Sequence, residues 1–237
     1  TGQSLGIKNG MSLSAAYGLS NLIEVKYRNK HQEAKKLEEI ATSLFKYSSQ
    51  ISINFPNSIL IEIGASIKLF CDTKHLKDQI KKTIIELGMN ARAAVSPTPL
   101  SAVWLASQQI EITVLSISDL PKHLDSLPIS TIGSKNTLCI QPDDVGIKTI
   151  GELASVSRSA VTQRWGPHVI DQLDRAFGRK PDPCPLFILP RRFNTEISLN
   201  LPASSVTELL FGINRIIHSM TNYLQAKQRG VIKFELT

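Results

Sequence analysis

The sequence predicts a mixed fold of α+β (α/β) class, and three patterns predict it. Helical and strand-like segments alternate over residues 32–115. From about residue 118 the segments are short and helical, punctuated by Gly146, Gly151, Gly166 and Gly178. A β–α–β pattern then occupies residues 193–236. Alternation of this kind lays helices on a sheet, whereas glycine-punctuated helices form a separate helical unit.

The elements follow in order. Residues 32–47 place Ala34, Leu37, Ile40, Ala41, Leu44 and Phe45 on one helical face. Residues 58–63, apolar but for Ser58 and Glu62, read as a largely buried strand. Residues 74–87 form an amphipathic helix with Ile80, Ile84, Ile85 and Leu87 inward and four lysines outward. Residues 91–95 are a short strand, 99–107 a helix, and 112–115 a further strand. Three prolines within residues 181–185 make a stiff linker that cannot continue a helix. Beyond it come a strand at 193–199 and a long helix with Val206, Leu209, Leu210, Ile213, Ile216, Ile217, Met220, Tyr223 and Leu224 on one stripe. Ser205 and Glu208 have the spacing of a capping box for that helix. Residues 231–236 form the last strand. Two strands and a helix rarely bury enough surface alone, so this unit is expected to be partial.

Composition narrows the class. With 237 residues and 42% hydrophobic content the chain folds as two or three units rather than staying disordered. No apolar run reaches the roughly 18 residues of a membrane span, and residues 1–10 lack a signal-peptide core. Thr1 rather than Met opens the sequence, as in a fragment or processed product. Cys71, Cys139 and Cys184 lie far apart, without metal-ligand spacing, and fit buried roles in a reducing compartment. The net charge of +7 favours a polyanionic partner. Most of it is spread evenly, but residues 175–192 hold five basic side chains against Asp182 alone.

Chemistry-bearing motifs are few. Phosphate-binding glycine loops and H-E-x-x-H are absent, and the five histidines fall in unrelated segments. Asp143 and Asp144 suit a helix start better than a metal site. Residues 145–154 and 156–166 are two short helices joined by glycine turns, the pattern of a helix-hairpin-helix element. Such elements hold DNA through backbone N–H groups aimed at a phosphate, here around Lys148, Thr149 and Gly151. The same pattern also suits a small helical domain of another kind.

In order along the chain, several segments resemble the Y-family translesion DNA polymerases, and most of all their ImuB branch. Gly6-Ile-Lys-Asn-Gly-Met-Ser12 with Ala15 and Ala16 resembles a fingers segment. Ile61-Glu-Ile-Gly-Ala-Ser-Ile-Lys-Leu-Phe70 resembles the palm strand, and Ala94-Val-Ser-Pro-Thr-Pro99 the branch's A-I-A-P-T-P segment. Gly146 to Leu153, Arg164-Trp-Gly166 and Leu173-Asp-Arg-Ala-Phe-Gly178 resemble the thumb, and 193–226 the start of the little finger. The resemblance implies a fingers and palm remnant at 1–117, a helix-hairpin-helix-type thumb at 118–182 and a partial β-α-β little finger at 186–237.

Two departures bear on activity. The family's catalytic S-I-D-E motif registers on Phe55, Pro56, Asn57 and Ser58, so Asn57 and Ser58 replace its two metal-binding carboxylates. No Asp or Glu lies between Glu39 and Glu62 to restore them. The family's basic segment beside the triphosphate registers on residues 94–103, which hold no lysine or arginine. The family's first metal-binding carboxylate and its clamp-binding peptide are expected outside this stretch.

The resemblance thus implies a pseudo-polymerase with no metal and no cofactor, binding duplex or primer–template DNA through its phosphates. The side chains implied are Lys148, Thr149, Arg158, Arg164, Arg175, Arg179, Lys180, Arg191 and Arg192, with the backbone at Gly151. It further implies a bacterial cytoplasmic, nucleoid-associated adaptor in damage-induced mutagenesis. Its partners would be a sliding clamp, an error-prone replicative-type polymerase and a RecA-like accessory protein, with no membrane role. Two alternatives stay open: an active nucleotidyltransferase whose carboxylates lie elsewhere, and a helix-hairpin-helix DNA-binding module with no polymerase relationship.

Overall fold

The computed structural model describes residues 6–8, 10–20, 23–54, 56–70, 72–132, 146–196 and 206–235, excluding the side chains of Lys68, Thr207, Glu208 and Phe211. The chain divides into two compact units, Thr1–Glu33 and Ala34–Thr237. The first contains helix α1 (Leu13–Leu19), capped by the Ser12 hydroxyl, which accepts from the Ala15 N–H. Helix α2 (Lys30–Leu44) contributes its residues from Ala34 onward to the second unit.

Two apolar cores organise the second unit. In the first, Ile40, Ala41 and Leu44 of α2 meet Ile51, Leu76, Ile84 and Leu87. These residues come from strand β1 (Ile51–Asn54) and from helix α3 (Thr73–Glu86) with the turn after it. The Asp72 carboxylate accepts from the His75 N–H at 2.6 Å and so starts α3. Inside this core the Tyr47 hydroxyl donates to the Gln79 carbonyl at 2.9 Å and meets Thr83 Oγ1 at 2.8 Å, so its polar tip is satisfied. Strand β1 pairs antiparallel with β2 (Ser58–Ile61), Ile51 opposite Ile61 and Asn54 opposite Ser58.

The second core is built by helix α4 (Pro99–Ser107), α5 (Leu120–Leu124), α6 (Ile150–Ser155), α7 (Arg158–Trp165) and α8 (Pro167–Ala176). Trp104, Leu105, Leu120, Leu124, Ile150, Leu153, Val161, Val169 and Leu173 are all buried in it. Thr98 caps α4, with Pro99 in the first turn, where a missing N–H costs nothing. Gly166 joins α7 to α8 at φ +89°, a conformation that L side chains rarely adopt. The last helix, α9 (Val206–Lys227), buries Tyr223, whose hydroxyl donates to the Pro190 carbonyl at 2.9 Å.

Mixed α/β class holds, with helices predominating over one small sheet among the described residues, but several elements differ from expectation. Strand β1 was not anticipated, and β2 is shorter than 58–63 and half-buried. It is half-buried because, among the described residues, it pairs on one side only. The strands expected at 91–95 and 112–115 reduce to a single parallel bridge between Val95 and Thr113; Pro97 and Pro99 end any longer pairing. On α3, Leu76 is fully buried whereas Ile85 is 59% exposed, so the inward face is rotated from the one expected. Residues 193–196 and 231–235 are not strands. Accordingly Val206, Leu209, Leu210 and Ile217 of the α9 stripe are exposed.

The proline segment is more than a linker. The Phe187 N–H donates to the Ile51 carbonyl at 2.7 Å, and the Phe187 ring packs on Phe45 with centroids 6.1 Å apart. Phe55, Cys71, Cys139, Asp143, Asp144, Val145, residues 197–200, Ser205 with the Glu208 side chain, and Leu236 lie outside the described residues. Among the described residues no helix is long and apolar enough to cross a membrane.

Candidate nucleic-acid interface

The hairpin between β1 and β2 brings Asn57 and Ser58 to its turn. Asn57 is exposed and Ser58 half-buried, and the Ser58 hydroxyl donates weakly to Asn57 Oδ1 at 3.4 Å. Both are neutral. A carboxamide and a hydroxyl bonded to each other are a poor donor set for a divalent cation, which prefers carboxylate oxygens. These residues do not fit a catalytic metal pair. Glu62, four residues along, is turned to its own backbone and accepts from the Gly64 N–H at 2.6 Å.

A cavity of about 500 Å³ adjoins β2, lined by Ile59, Ile61, Glu62, Val95, Thr98 and Asp182 among others. Hydroxyls occupy its α4 side. Ser101 Oγ lies 2.5 Å from Ser96 Oγ and 2.6 Å from Thr98 Oγ1, and the Thr98 hydroxyl donates to the Ala176 carbonyl at 2.8 Å. Residues 94–103, which hold no cation, thus tie α4 to the end of α8 through neutral bonds. Cys184, also at the cavity, is half-buried, with its thiol 3.6 Å from the Asp182 carbonyl oxygen.

At the start of α6, in the segment expected to be a helix-hairpin-helix element, the amides are occupied from within the protein. The Glu152 carboxylate accepts from the Lys148 N–H at 2.6 Å and the Thr149 N–H at 3.2 Å, while Thr149 Oγ1 accepts from the Glu152 N–H, completing a capping box. The Ile150 N–H donates to the Leu127 carbonyl and the Gly151 N–H to the Asp125 carbonyl. These two backbone N–H bonds to Glu152, first that from Lys148, hold its carboxyl below the usual glutamate value. Gly151 is required by packing: a Cβ there would lie 2.7 Å from Asp125 Cβ. Thr149 and Gly151 therefore have structural work at the start of α6, and the exposed Lys148 side chain is the outward-facing cation there.

The remaining basic residues fall on α7, α8 and the segment after them. Arg158 makes two bonds to Asp174, at 2.8 and 2.6 Å. Arg179 approaches the same carboxylate at 3.7 Å. Arg175 meets Asp171 at 2.7 Å and Asp182 at 3.4 Å, and Lys180 pairs with Asp171. The Arg158 hydrogen bond depresses the Asp174 carboxyl, and the Lys180 hydrogen bond depresses that of Asp171. Arg164 stacks over the Trp165 ring at 5.5 Å. Arg191 and Arg192 are exposed and make no ion pair among the described residues. The structure thus brings Arg158, Arg175, Arg179 and Lys180 together, whereas Lys148, Arg191 and Arg192 take no part in that network.

Sequence reasoning missed Asp171 and Asp174, the carboxylates that organise this cluster. Both lie just before the basic run that begins at Arg175. The i, i+4 spacing of Asp171 and Arg175 was the signal that could have revealed one of them.

Comparison with known proteins agrees with this architecture. The model of the impB/mucB/samB family matches residues 2–108. Protein ImuB of two Caulobacter vibrioides strains is 18% identical over 200 residues, covering 84% of this chain and 44% of the relative. The chain therefore spans less than half the length of these curated relatives. Among solved structures, an insertion ternary complex of Dbh DNA polymerase superposes with a TM-score of 0.60 at 18% identity, covering 77% of this chain and 55% of the other. A DinB family error-prone DNA polymerase from Sulfolobus solfataricus gives 0.61 at 19% identity, covering 92% of this chain and 68% of the other. Over residues 2–108 the chain matches the impB/mucB/samB family, and its fold is that of the Y-family DNA polymerases.

Proposed function

We propose that this chain is a DNA-binding, catalytically inactive homologue of the Y-family polymerases, serving as an adaptor in damage-induced mutagenesis and translesion synthesis. The observation that carries the reading is the β1–β2 hairpin turn. It presents Asn57 and Ser58, neutral and bonded to each other, where the family resemblance puts the metal-binding Asp and Glu. The cation-free, hydroxyl-linked segment at 94–103 supports it, since nothing there can neutralise a triphosphate. The matching relatives named ImuB support the ImuB-like part of the reading, from whose resemblance the adaptor role is drawn.

In this reading residues 1–117 act as fingers and palm, 118–182 as thumb and 186–237 as part of a little finger. The protein works in the bacterial cytoplasm on the nucleoid. It ties a sliding clamp, an error-prone replicative-type polymerase and a RecA-like protein to the DNA. Contact with duplex DNA is through phosphates and carries no base preference.

Primer extension with Mg²⁺ or Mn²⁺ tests the catalytic half, with no product expected. Template-dependent nucleotide addition would overturn the reading in favour of an active nucleotidyltransferase. Fluorescence anisotropy with a primer–template duplex tests the other half. Three or four phosphate contacts give a log–log salt slope of roughly −2.7 to −3.6, so a fourfold rise in salt weakens binding roughly 40- to 150-fold. A slope of zero removes DNA binding from the proposal.

A further inference from the structure

We propose that Asp171, Asp174 and Asp182 sort seven lysines and arginines of residues 148–192 into two sets, one clamped within the protein and one open to a polyanion. Asp174 then sets how many phosphates the chain can engage. This inference rests on the DNA-binding reading above and assigns its contacts residue by residue.

The clamped set is Arg158, Arg175, Arg179 and Lys180. Asp174, whose side chain is only 15% exposed, holds Arg158 through two bonds of 2.8 and 2.6 Å and lies 3.7 Å from Arg179. Asp171 holds Arg175 and Lys180. Asp182 lies 3.4 Å from Arg175 with one oxygen, and its other oxygen accepts from the Leu100 N–H at 3.1 Å. Two-pronged bonds between a guanidinium and a carboxylate are among the stronger hydrogen bonds a protein makes. A phosphate that captured Arg158 would have to displace such a pair and leave a mostly enclosed carboxylate without it, so the exchange yields little.

The open set behaves differently. Arg191 and Arg192 are exposed without an ion pair among the described residues, and the Lys148 amine is likewise exposed. Each can meet a phosphate with no internal bond to break, releasing about 0.9 of a counterion per contact on B-form DNA. The open set carries the affinity, and the clamped set is in reserve.

The test measures anisotropy of a primer–template duplex against the whole chain over a salt series, with far-UV circular dichroism to show that each variant is folded. Arg191→Ala with Arg192→Ala should flatten the log–log slope by about 1.8, the value for two lost contacts. Arg158→Ala with Arg179→Ala should leave the slope of the parent. Asp174→Asn should release both arginines and steepen the slope by about 1.8. A fourfold rise in salt then weakens it about 12-fold more than it weakens the parent. Adding Arg158→Ala and Arg179→Ala to Asp174→Asn should return the slope to that of the parent. Glu86→Gln, an exposed site on α3 without a partner among the described residues, adds the same unit of charge and should leave the slope unchanged.

Should Asp174→Asn not fold, the two arginine pairs decide the matter: equal flattening by both overturns the inference. So does a folded Asp174→Asn with the parent's slope, or Glu86→Gln matching it. In each of those cases the parent still binds and the DNA-binding reading stands. Failure of the parent and every variant to bind removes both.

Discussion

At position 151 a side chain would have no room. A Cβ would sit 2.7 Å from Asp125 Cβ and 3.1 Å from Asp125 Cα, and the second of these is backbone that cannot swing away. Gly151→Ala should therefore destabilise the protein by about 1–3 kcal/mol, the usual range for overpacking, measured by urea unfolding. It should do so without changing the DNA salt slope. One residue along, Glu152 has its carboxyl held below the ordinary glutamate value by the Lys148 and Thr149 N–H groups. A depressed folded value means that its stabilisation is full above the ordinary value and is lost as the pH falls through the lowered one. Comparing unfolding midpoints of the parent and Glu152→Gln across the acid range should show the gap between them closing as the pH drops. The T-x-x-E spacing of residues 149–152 makes this capping pair legible, yet the same residues also suggest a phosphate site. Sequence shows that amides cluster at a helix start, not what already occupies them.

Among the elements, long uninterrupted helical periodicity was the most readable feature. Helices α2, α3, α4 and α9 lie where apolar residues recur at three and four positions, and α4 begins at the expected Pro99. Strands were harder, because four alternating residues such as Ile51–Asn54 barely exceed chance, and β2 carries apolar residues on both faces although it pairs on one side. Periodicity also says which face of a helix is apolar and not whether anything covers it. On α9 the difference is measurable. Leu209 is 47% exposed and Tyr223 only 7%. Leu209→Gln should change stability by less than about 0.5 kcal/mol, as surface substitutions do. Tyr223→Ala should cost about 3 kcal/mol or more, as large aromatic truncations do, because it also removes the bond to Pro190 and the packing on Phe193. Equal effects would mean that the helix is buried evenly along its length.

For the molecule as a whole, the mixed class and the resemblance could be read from short motifs in order, whereas the charge pattern of the interface could not. Arg158 and Asp174 are 16 positions apart and meet only because α7 and α8 pack together, so the linear sequence offers that arginine to DNA phosphates without showing its carboxylate partner. In primer extension, Asn57→Asp combined with Ser58→Glu should still yield no product. Two restored carboxylates leave residues 94–103 without a cation. Product from that double variant would show that the hairpin turn alone had silenced the site. The proline segment has a consequence for time rather than for charge. Phe187 docks on Ile51 and Phe45 in the first core, while Asp182, five residues earlier, is bound to Leu100 and Arg175 beside the second. Between these two anchors stand Pro183 and Pro185. In an unfolded chain about 10–30% of such bonds are cis, and they revert over tens to hundreds of seconds. Molecules that collapse with the wrong isomer cannot seat both anchors at once. Refolding should therefore show a slow minor phase, accelerated by a prolyl isomerase and diminished in Pro183→Ala with Pro185→Ala.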